Sequence, residues 1–500
     1  LSMQYFLVKY RFYILIALGC LMQAGFLSLI LLGNLTDHAV EYIWFYLFLF
    51  GLYGLATWLV LRKPYYVKPK KEAPQEAGNL TVRNQTTSSP LKNSLLIIIF
   101  FAVTFRLSLV LVAPTLSTDQ FRYTWEGRLV TQGISPYRYA PDDPALTPYH
   151  SPIWPLVQQR ETASPYPPLS QLIGAVEYLL LQDNILGPKI AAALFDILNC
   201  LALLWLLGLY GLDRRKVILY AWCPLPAIEF GQSGHNDAPM LLLLLVAIGL
   251  ARQKRPYWSA LALGLACLAK FTPLFALPVF LVCWAGVSLG KTGPRWQGLL
   301  KAYWRNWRYP ALTLAVIVAG YVPFVALGQG AIGSIFEYTG SWRDNESLLY
   351  GWAADFWGNS VAKGVSLLIF GTGLLLLSFW PRLVYRLSLP RRVTLVLGLT
   401  LLVASTIHVW YLSWLLVLLP LVWGESEWKL WDGAWLIFAI TAELPYLTYF
   451  YNGDTPLFQW IRPLEFWPLN GLIIYNLWEI WRNHRAKRLV TGELPSSVLE

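Results

Sequence analysis

Long apolar runs dominate the chain and set its architecture. A bilayer span needs about 20 apolar residues. Runs of that kind stand at roughly 12–33, 41–62, 94–114, 186–210, 309–327, 358–380, 431–449 and 464–481, with shorter or fused runs at 217–232, 236–251, 256–290 and 393–423. This pattern predicts an all-α polytopic membrane protein, with some helices reaching only part of the way across. Segment 168–183 (PLSQLIGAVEYLLLQD) is apolar but short, and counting it as a span reverses the parity of everything after it. The expectation is therefore about 11–14 transmembrane helices.

The basic clusters supply an orientation. Lys9 and Arg11, Lys63–Lys71, Arg214–Lys216, Arg252–Arg255, Lys291–Arg308, Arg382–Arg392 and Arg482–Arg488 punctuate the apolar runs. Lys and Arg collect in cytoplasmic loops, so the clusters predict a multi-pass inner or plasma membrane protein with both termini cytoplasmic. Residues 115–168 then form a long loop on the opposite, extracytoplasmic side. The first run has no small-residue cleavage site behind it and reads as a retained anchor.

Composition agrees with this picture. Of 500 residues 56% are hydrophobic and 13% charged, against roughly 25% charged in soluble proteins. That excludes disordered, collagen-like and coiled-coil classes, and the 25 Trp and 28 Tyr suit membrane interfaces. The net charge of +11 does not point to nucleic acid, because the bases lie between apolar runs and not along one polar face. Five cysteines, all in apolar stretches and without a CxxC spacing, argue against a disulfide scaffold and against zinc or redox roles.

Four regions follow. Residues 1–62 form an N-terminal hairpin of two spans, and 63–93 form a polar, basic, Pro/Ser/Thr-rich cytoplasmic linker. Its N-x-T matches at Asn79 and Asn84 would face the wrong compartment for glycosylation. Residues 94–290 make a central module that includes loop 115–168, and 291–500 hold the remaining helices. The loop is rich in Trp, Tyr and Pro, which lower chain entropy and give it surface to bury, so it is expected to be ordered.

Polar groups persist near a bilayer where they are paired or functional, and the informative ones fall on the outer side. Asp119 follows the 94–114 span within five residues. Arg122 and Glu126 share its side if 119–130 is helical. Residue chemistry alone leaves Asp119 between a helix cap and a catalytic carboxylate, with Ser117 and Thr118 as rival caps. The stretch GQSGHNDAPM at 231–240 carries His235 and Asp237. Asn236 or Asp237 could cap the next helix, and a metal site would find only Glu229 as a further ligand. Lys270 ends an apolar run, and a lone cation there needs an anionic partner. His408 stands beside Trp410 and Tyr411, where a packing role competes with a functional one. Residues 338–344 and Arg462 add outward polar groups without a pattern of their own. A carboxylate, scattered cations and many rings above lipid suit a reaction on a lipid-linked phosphate. A phosphate departs without a general acid, cations stabilise its charge, and one carboxylate can take the proton of the attacking hydroxyl. A glycosidase would instead want two facing carboxylates.

The run DQFRYTWEGRLVTQGISPYRYAPDDP from Asp119, then IWP at 153–155, YPPLSQ at 166–171, GHND at 234–237 and AKFTP at 269–273, resembles a known family. It is similar to the polyprenol-phosphate-mannose-dependent mannosyltransferases of the GT-C superfamily, glycosyltransferase family 87 and relatives, and more distantly to the GPI mannosyltransferases. The resemblance covers about 115–290; beyond that it rests on hydropathy and HVWYLSWLL at 408–416. It implies a GT-C-type helical bundle with an extracytoplasmic active site and an inverting transfer to a lipid or glycan hydroxyl. The donor would be a polyprenyl-phosphate sugar, most simply mannose, with no further cofactor; the lack of a clustered ligand set argues against a metal. Asp119 matches the family's catalytic base. Arg122, His235, Asp237, Lys270 and His408 would bind donor phosphate or sugar. Glu126, Tyr137, Arg138, Tyr166, Trp410 and Tyr411 would serve the acceptor or order the loop. The appended hairpin 1–62 departs from the compact pattern. A transporter or flippase of lipid-linked sugars, with Arg106 as a mid-span charge, and an O-antigen-type polymerase or ligase are the alternatives.

Overall fold

The computed structural model describes residues 2–62, 89–286, 296–326, 343, 345–450 and 456–490. Asn79 and Asn84, the cluster Lys63–Lys71, Lys291, all but the end of the 63–93 linker, and all of 338–344 except Arg343 lie outside the described residues. The described residues are helical or irregular, with no strand among them.

Among the described residues, five helices have the length and apolarity of a span: Tyr10–Leu32, Ala39–Leu61, Leu186–Leu209, Arg308–Val325 and Asn359–Phe379. They lie within or coincide with α1 (Ser2–Leu32), α2 (Ala39–Leu61), α6 (Leu186–Leu209), α13 (Arg308–Ala326) and the helix Asn359–Phe379. The expected shorter pieces are present as well. Between α3 (Ser89–Leu109) and α13 stand α4 (Asp119–Thr131), α5 (Pro168–Leu181), α7 (Ile218–Ala221), α8 (Pro224–Gly231), α9 (Ala238–Arg252), α10 (Pro256–Ala269), α11 (Leu277–Trp284) and α12 (Trp296–Arg305). Proline near the first position explains many of their starts, since it pre-sets the helical φ and has no amide to satisfy there. It opens α5, α8, α9, α10 and α11. Pro224 thus breaks the apolar run 217–232 into α7 and α8. Helix α5 has 14 residues and is about 21 Å long, short of a ~30 Å hydrocarbon core.

One continuous apolar core joins α1–α3, α6–α10 and the segments 389–422 and 431–446. Large apolar side chains on the outer faces are left uncovered, among them Leu31, Leu180, Leu367 and Phe356. That distribution is expected where lipid is the solvent. The structure is that of a polytopic helical membrane protein.

Loop 115–168 is ordered, as its composition predicts. It has its own cluster of Trp125, Leu129, Leu146, Ile153 and Val157. It docks through α4 onto α5, where Gly127 and Gly174 let the backbones touch. A Cβ on Gly127 would collide with the Gly174 carbonyl, and one on Gly174 would come within 3.0 Å of the Tyr123 carbonyl.

Candidate active site

The strap from α3 to α4 delivers Asp119 and is fastened along its length. Fully buried Lys189, in the first turn of α6, donates to the Val110 carbonyl at 2.6 Å and to that of Val112. Gln232 donates to the Ala113 carbonyl at 2.6 Å, Gln120 to the Pro114 and Ser117 carbonyls, and the Leu35 amide to the Thr115 hydroxyl at 2.8 Å. Buried polar backbone requires such partners, and the result is a rigid mount.

Asp119 is the first residue of α4. Thr118 holds the cap position without a capping bond of its own, and the Ser117 hydroxyl accepts from the Asp119 amide at 3.2 Å. The Tyr123 hydroxyl donates to Asp119 Oδ2 at 3.1 Å, and the Asp119 side chain remains 30% exposed. Arg122 and Glu126 do share a helix face, but they work inside the loop. Arg122 donates to Glu126 Oε1 at 2.7 Å and to the Gln159 and Thr162 carbonyls, each at 2.7 Å. Glu126 Oε2 accepts from Ser164 and Gln171. The Arg122 guanidinium is thereby engaged within the loop.

Gly234, at φ +71°, turns the chain between α8 and α9 and aims His235 at Asp119. A side chain at 234 would also meet Lys189 at 3.0 Å. His235 is fully buried in this connection; its Nδ1 lies 3.8 Å from Asp119 Oδ2 and its Nε2 3.1 Å from Glu229 Oε2. Burial pushes the imidazole down to about 4, against the opposing pull of Asp119 and Asp237. It is therefore neutral at pH 7 and places no charge beside Asp119; neither ring nitrogen makes a hydrogen bond.

Asp237 occupies the N-cap position of α9 without a capping bond. Its carboxylate instead accepts from Lys270 Nζ at 2.7 Å and from Trp414 Nε1 at 2.6 Å. Lys270 closes α10 in extended backbone (φ −157°), which takes its side chain off the helix axis. There it lies 5.0 Å from the Tyr411 ring and 5.8 Å from that of Trp414. The anionic partner that a lone Lys270 requires is Asp237.

Trp410 stacks with both histidines, His235 at 3.7 Å and His408 at 4.4 Å between ring centroids. The sequence candidates Asp119, His235, Asp237, Lys270, His408, Trp410 and Tyr411 thus converge, although they come from chain positions nearly 300 residues apart. Tyr166 stands edge-on to Tyr123 at 5.0 Å and borders the same place. Tyr137 is set back: its hydroxyl donates to the Tyr166 carbonyl at 2.7 Å, and its ring packs on Tyr321 and Phe324. Arg138 points outward, over Tyr139. A crevice lined by Tyr123, Glu177, Pro188, Asn236 and Pro239 lies next to these residues, and neither Asp119 nor Lys270 is part of its lining.

Five further residues join the site. Tyr123 and Trp414 bond the two aspartates directly. Glu229 lies against Glu443, and the Tyr42 hydroxyl donates to Glu443 Oε2 at 3.0 Å. A buried polar file therefore runs from Asp119 through His235, Glu229 and Glu443 to Tyr42 in the hairpin. Glu443 and Tyr42 had no motif to announce them.

A membrane-embedded helical body presenting a carboxylate and an aspartate-held lysine between aromatic rings is the class defined by this fold and site. Residues 14–286 match the family model described as alpha-(1->6)-mannopyranosyltransferase, N-terminal domain. The chain belongs to that family, in agreement with the resemblance read from its motifs. Alpha-(1->6)-mannopyranosyltransferase A of Mycobacterium tuberculosis is 24% identical to it over 315 residues, 61% of this chain and 55% of that protein. The protein of the same name from Corynebacterium glutamicum is 24% identical over 257 residues, 50% of this chain and 49% of that one. The chain spans about half the length of these curated relatives. The matched region takes in Asp119, His235, Asp237 and Lys270 and ends before His408.

Proposed function

We propose that the protein is a membrane mannosyltransferase that moves a mannosyl group from a polyprenyl monophosphate to a hydroxyl of a lipid or glycan acceptor. Transfer takes place on the extracytoplasmic face and inverts the anomeric carbon, with Asp119 as general base. The observation that carries this reading is the division of labour between two carboxylates in a mannosyltransferase-family chain. Both oxygens of Asp237 are occupied, by Lys270 and Trp414. Asp119 keeps an exposed portion and receives one neutral hydroxyl, so it is the carboxylate able to take a proton from an incoming alcohol. Lys270 is the cation that can meet the departing phosphate. Neutral His235 adds no charge beside Asp119, and the partly exposed Trp410 and Tyr411 border the place a sugar would occupy.

The bond from the anomeric carbon to phosphate breaks as the bond to the acceptor oxygen forms. The acceptor proton passes to Asp119, and the polyprenyl phosphate leaves as an anion. Membrane vesicles supplied with radiolabelled polyprenyl-phosphate-mannose test this. Asp119→Asn should lower transfer at least about 100-fold, the contribution typical of a general base, with protein level unchanged. Undiminished transfer by that variant would overturn the assignment. Labelled lipid crossing the bilayer without sugar transfer would favour a flippase.

A further inference from the structure

A second polar centre lies on the basic face of the bundle, and mannosyl transfer does not use it. Arg391 and Arg392 stand in the first turn of the helix Leu389–Leu402, behind Ser388, whose side chain accepts from the Arg391 amide. Two cations there oppose the positive end of the helix dipole and call for anions. Arg391 has them: Asp432 at 2.5 and 2.9 Å and Glu425 at 2.8 Å, with the Val422 carbonyl in addition.

Arg392 has none. It is 4% exposed, yet its Nε and Nη1 have no hydrogen-bond partner. The ionisable groups that reach it electrostatically are Cys283, Tyr303 and Tyr210; no carboxylate is among them. The sequence between α11 and α12, VSLGKTGPR at 287–295, contains no acidic residue. Other orphans gather nearby. The Tyr385 and Ser378 hydroxyls are buried without partners. Tyr385 packs with Tyr303, whose hydroxyl donates to the Ser378 carbonyl at 2.6 Å. These unsatisfied atoms are all N–H and O–H groups. Burying donors without acceptors is costly, and a buried unpaired guanidinium costs more. An apolar occupant would leave them unsatisfied, and a cation would be repelled. An anion with several oxygens satisfies them together.

We propose that Arg392, Tyr385 and Ser378 form a binding site for a phosphate-bearing anion, at the first turn of the helix Leu389–Leu402 whose far end leads toward Trp410. The phosphate belongs either to an anionic lipid headgroup or to free inorganic phosphate. The site stands independently of the mannosyl-transfer reading. The full-length protein, delipidated in neutral detergent, is titrated in one arm with phosphatidylglycerol against phosphatidylcholine. The second arm uses sodium phosphate against sodium chloride at equal ionic strength. Thermal stability and native mass spectrometry are followed in both. Wild type gains stability with a phosphate-bearing probe, because a ligand of the folded state raises the transition. Arg392→Gln weakens that response at least about tenfold and Tyr385→Phe about threefold, as expected for a charged and a neutral hydrogen bond. Saturation by phosphatidylglycerol but not phosphate assigns a lipid headgroup; saturation by both alike assigns the phosphate itself. No response in wild type, or equal responses in wild type and both variants, overturns the proposal. If Arg392→Gln does not fold, Tyr385→Phe alone decides in the same way.

Discussion

Asp237→Asn probes whether Asp237 sets the activity through its lysine. Asn keeps the side-chain shape and one carbonyl oxygen, so the 2.6 Å bond from Trp414 can persist. What is lost is the negative charge 2.7 Å from Lys270 Nζ. A hydrogen bond to a charged group is worth roughly 1.5–3 kcal/mol. Lys270 is 17% exposed, so water recovers part of the loss and the lower end of that range, about 1.5–2 kcal/mol, applies. If the lysine must be held in place as phosphate departs, the loss appears as about a 10- to 30-fold fall in kcat/KM. Initial rates of mannose transfer in vesicles, normalised to protein and run over donor concentration, give the number. Lys270→Met and the double variant complete a thermodynamic cycle. With Asp237 acting through Lys270, the double variant should be little worse than Lys270→Met alone. Wild-type rates for Asp237→Asn, or single losses that simply multiply in the double variant, would refute the reasoning.

Three further outcomes follow from the geometry. His235 is held neutral down to about 4, against an ordinary value of 6.5. The unfolded chain therefore takes up this proton first, and stability should fall as pH drops from about 6.5 to about 4. His235→Gln should flatten that part of the melting-temperature profile in detergent; an unchanged slope would count against a buried neutral imidazole. Gly127→Val drives a side chain into the Gly174 backbone and should cost about 1–3 kcal/mol. It should appear as a lower Tm and faster proteolysis of loop 132–167, whereas Gly51→Ala, with open space around it, should melt like wild type. Arg106 is fully buried and bonded to Asp196 at 2.6 Å. Arg106→Met strands the carboxylate at about 3–5 kcal/mol, and Arg106→Met with Asp196→Leu should recover most of it. Monodispersity and Tm of the purified variants compare the two, and equal damage in both would sink the ion-pair account.

Much of the site was readable because its residues mark abrupt changes in local polarity. Asp119 comes just after an apolar run, GHND interrupts another and Lys270 ends a third. Their roles were less readable. Arg122 has the spacing of a functional cation, but its guanidinium goes to loop carbonyls that arrive from nearly 40 residues downstream. Glu443 and Tyr42 meet across 401 positions, and no periodicity encodes such a meeting. Trp414 looks like any packing ring until its indole nitrogen is found on Asp237. Hydropathy located the apolar mass but blurred its joints, because Pro224 starts a new helix inside the run 217–232, which averages as continuous.

The amino-terminal hairpin looks from hydropathy like a detachable tether. Yet the Tyr42, Tyr46 and Tyr53 hydroxyls bond to Glu443 and to the Ala439 and Leu219 carbonyls, and the Leu35 amide holds the strap that carries Asp119. The first two helices are thus a retaining wall for the reaction chamber. Trimming them to obtain a smaller protein would slacken the footing of Asp119 from behind.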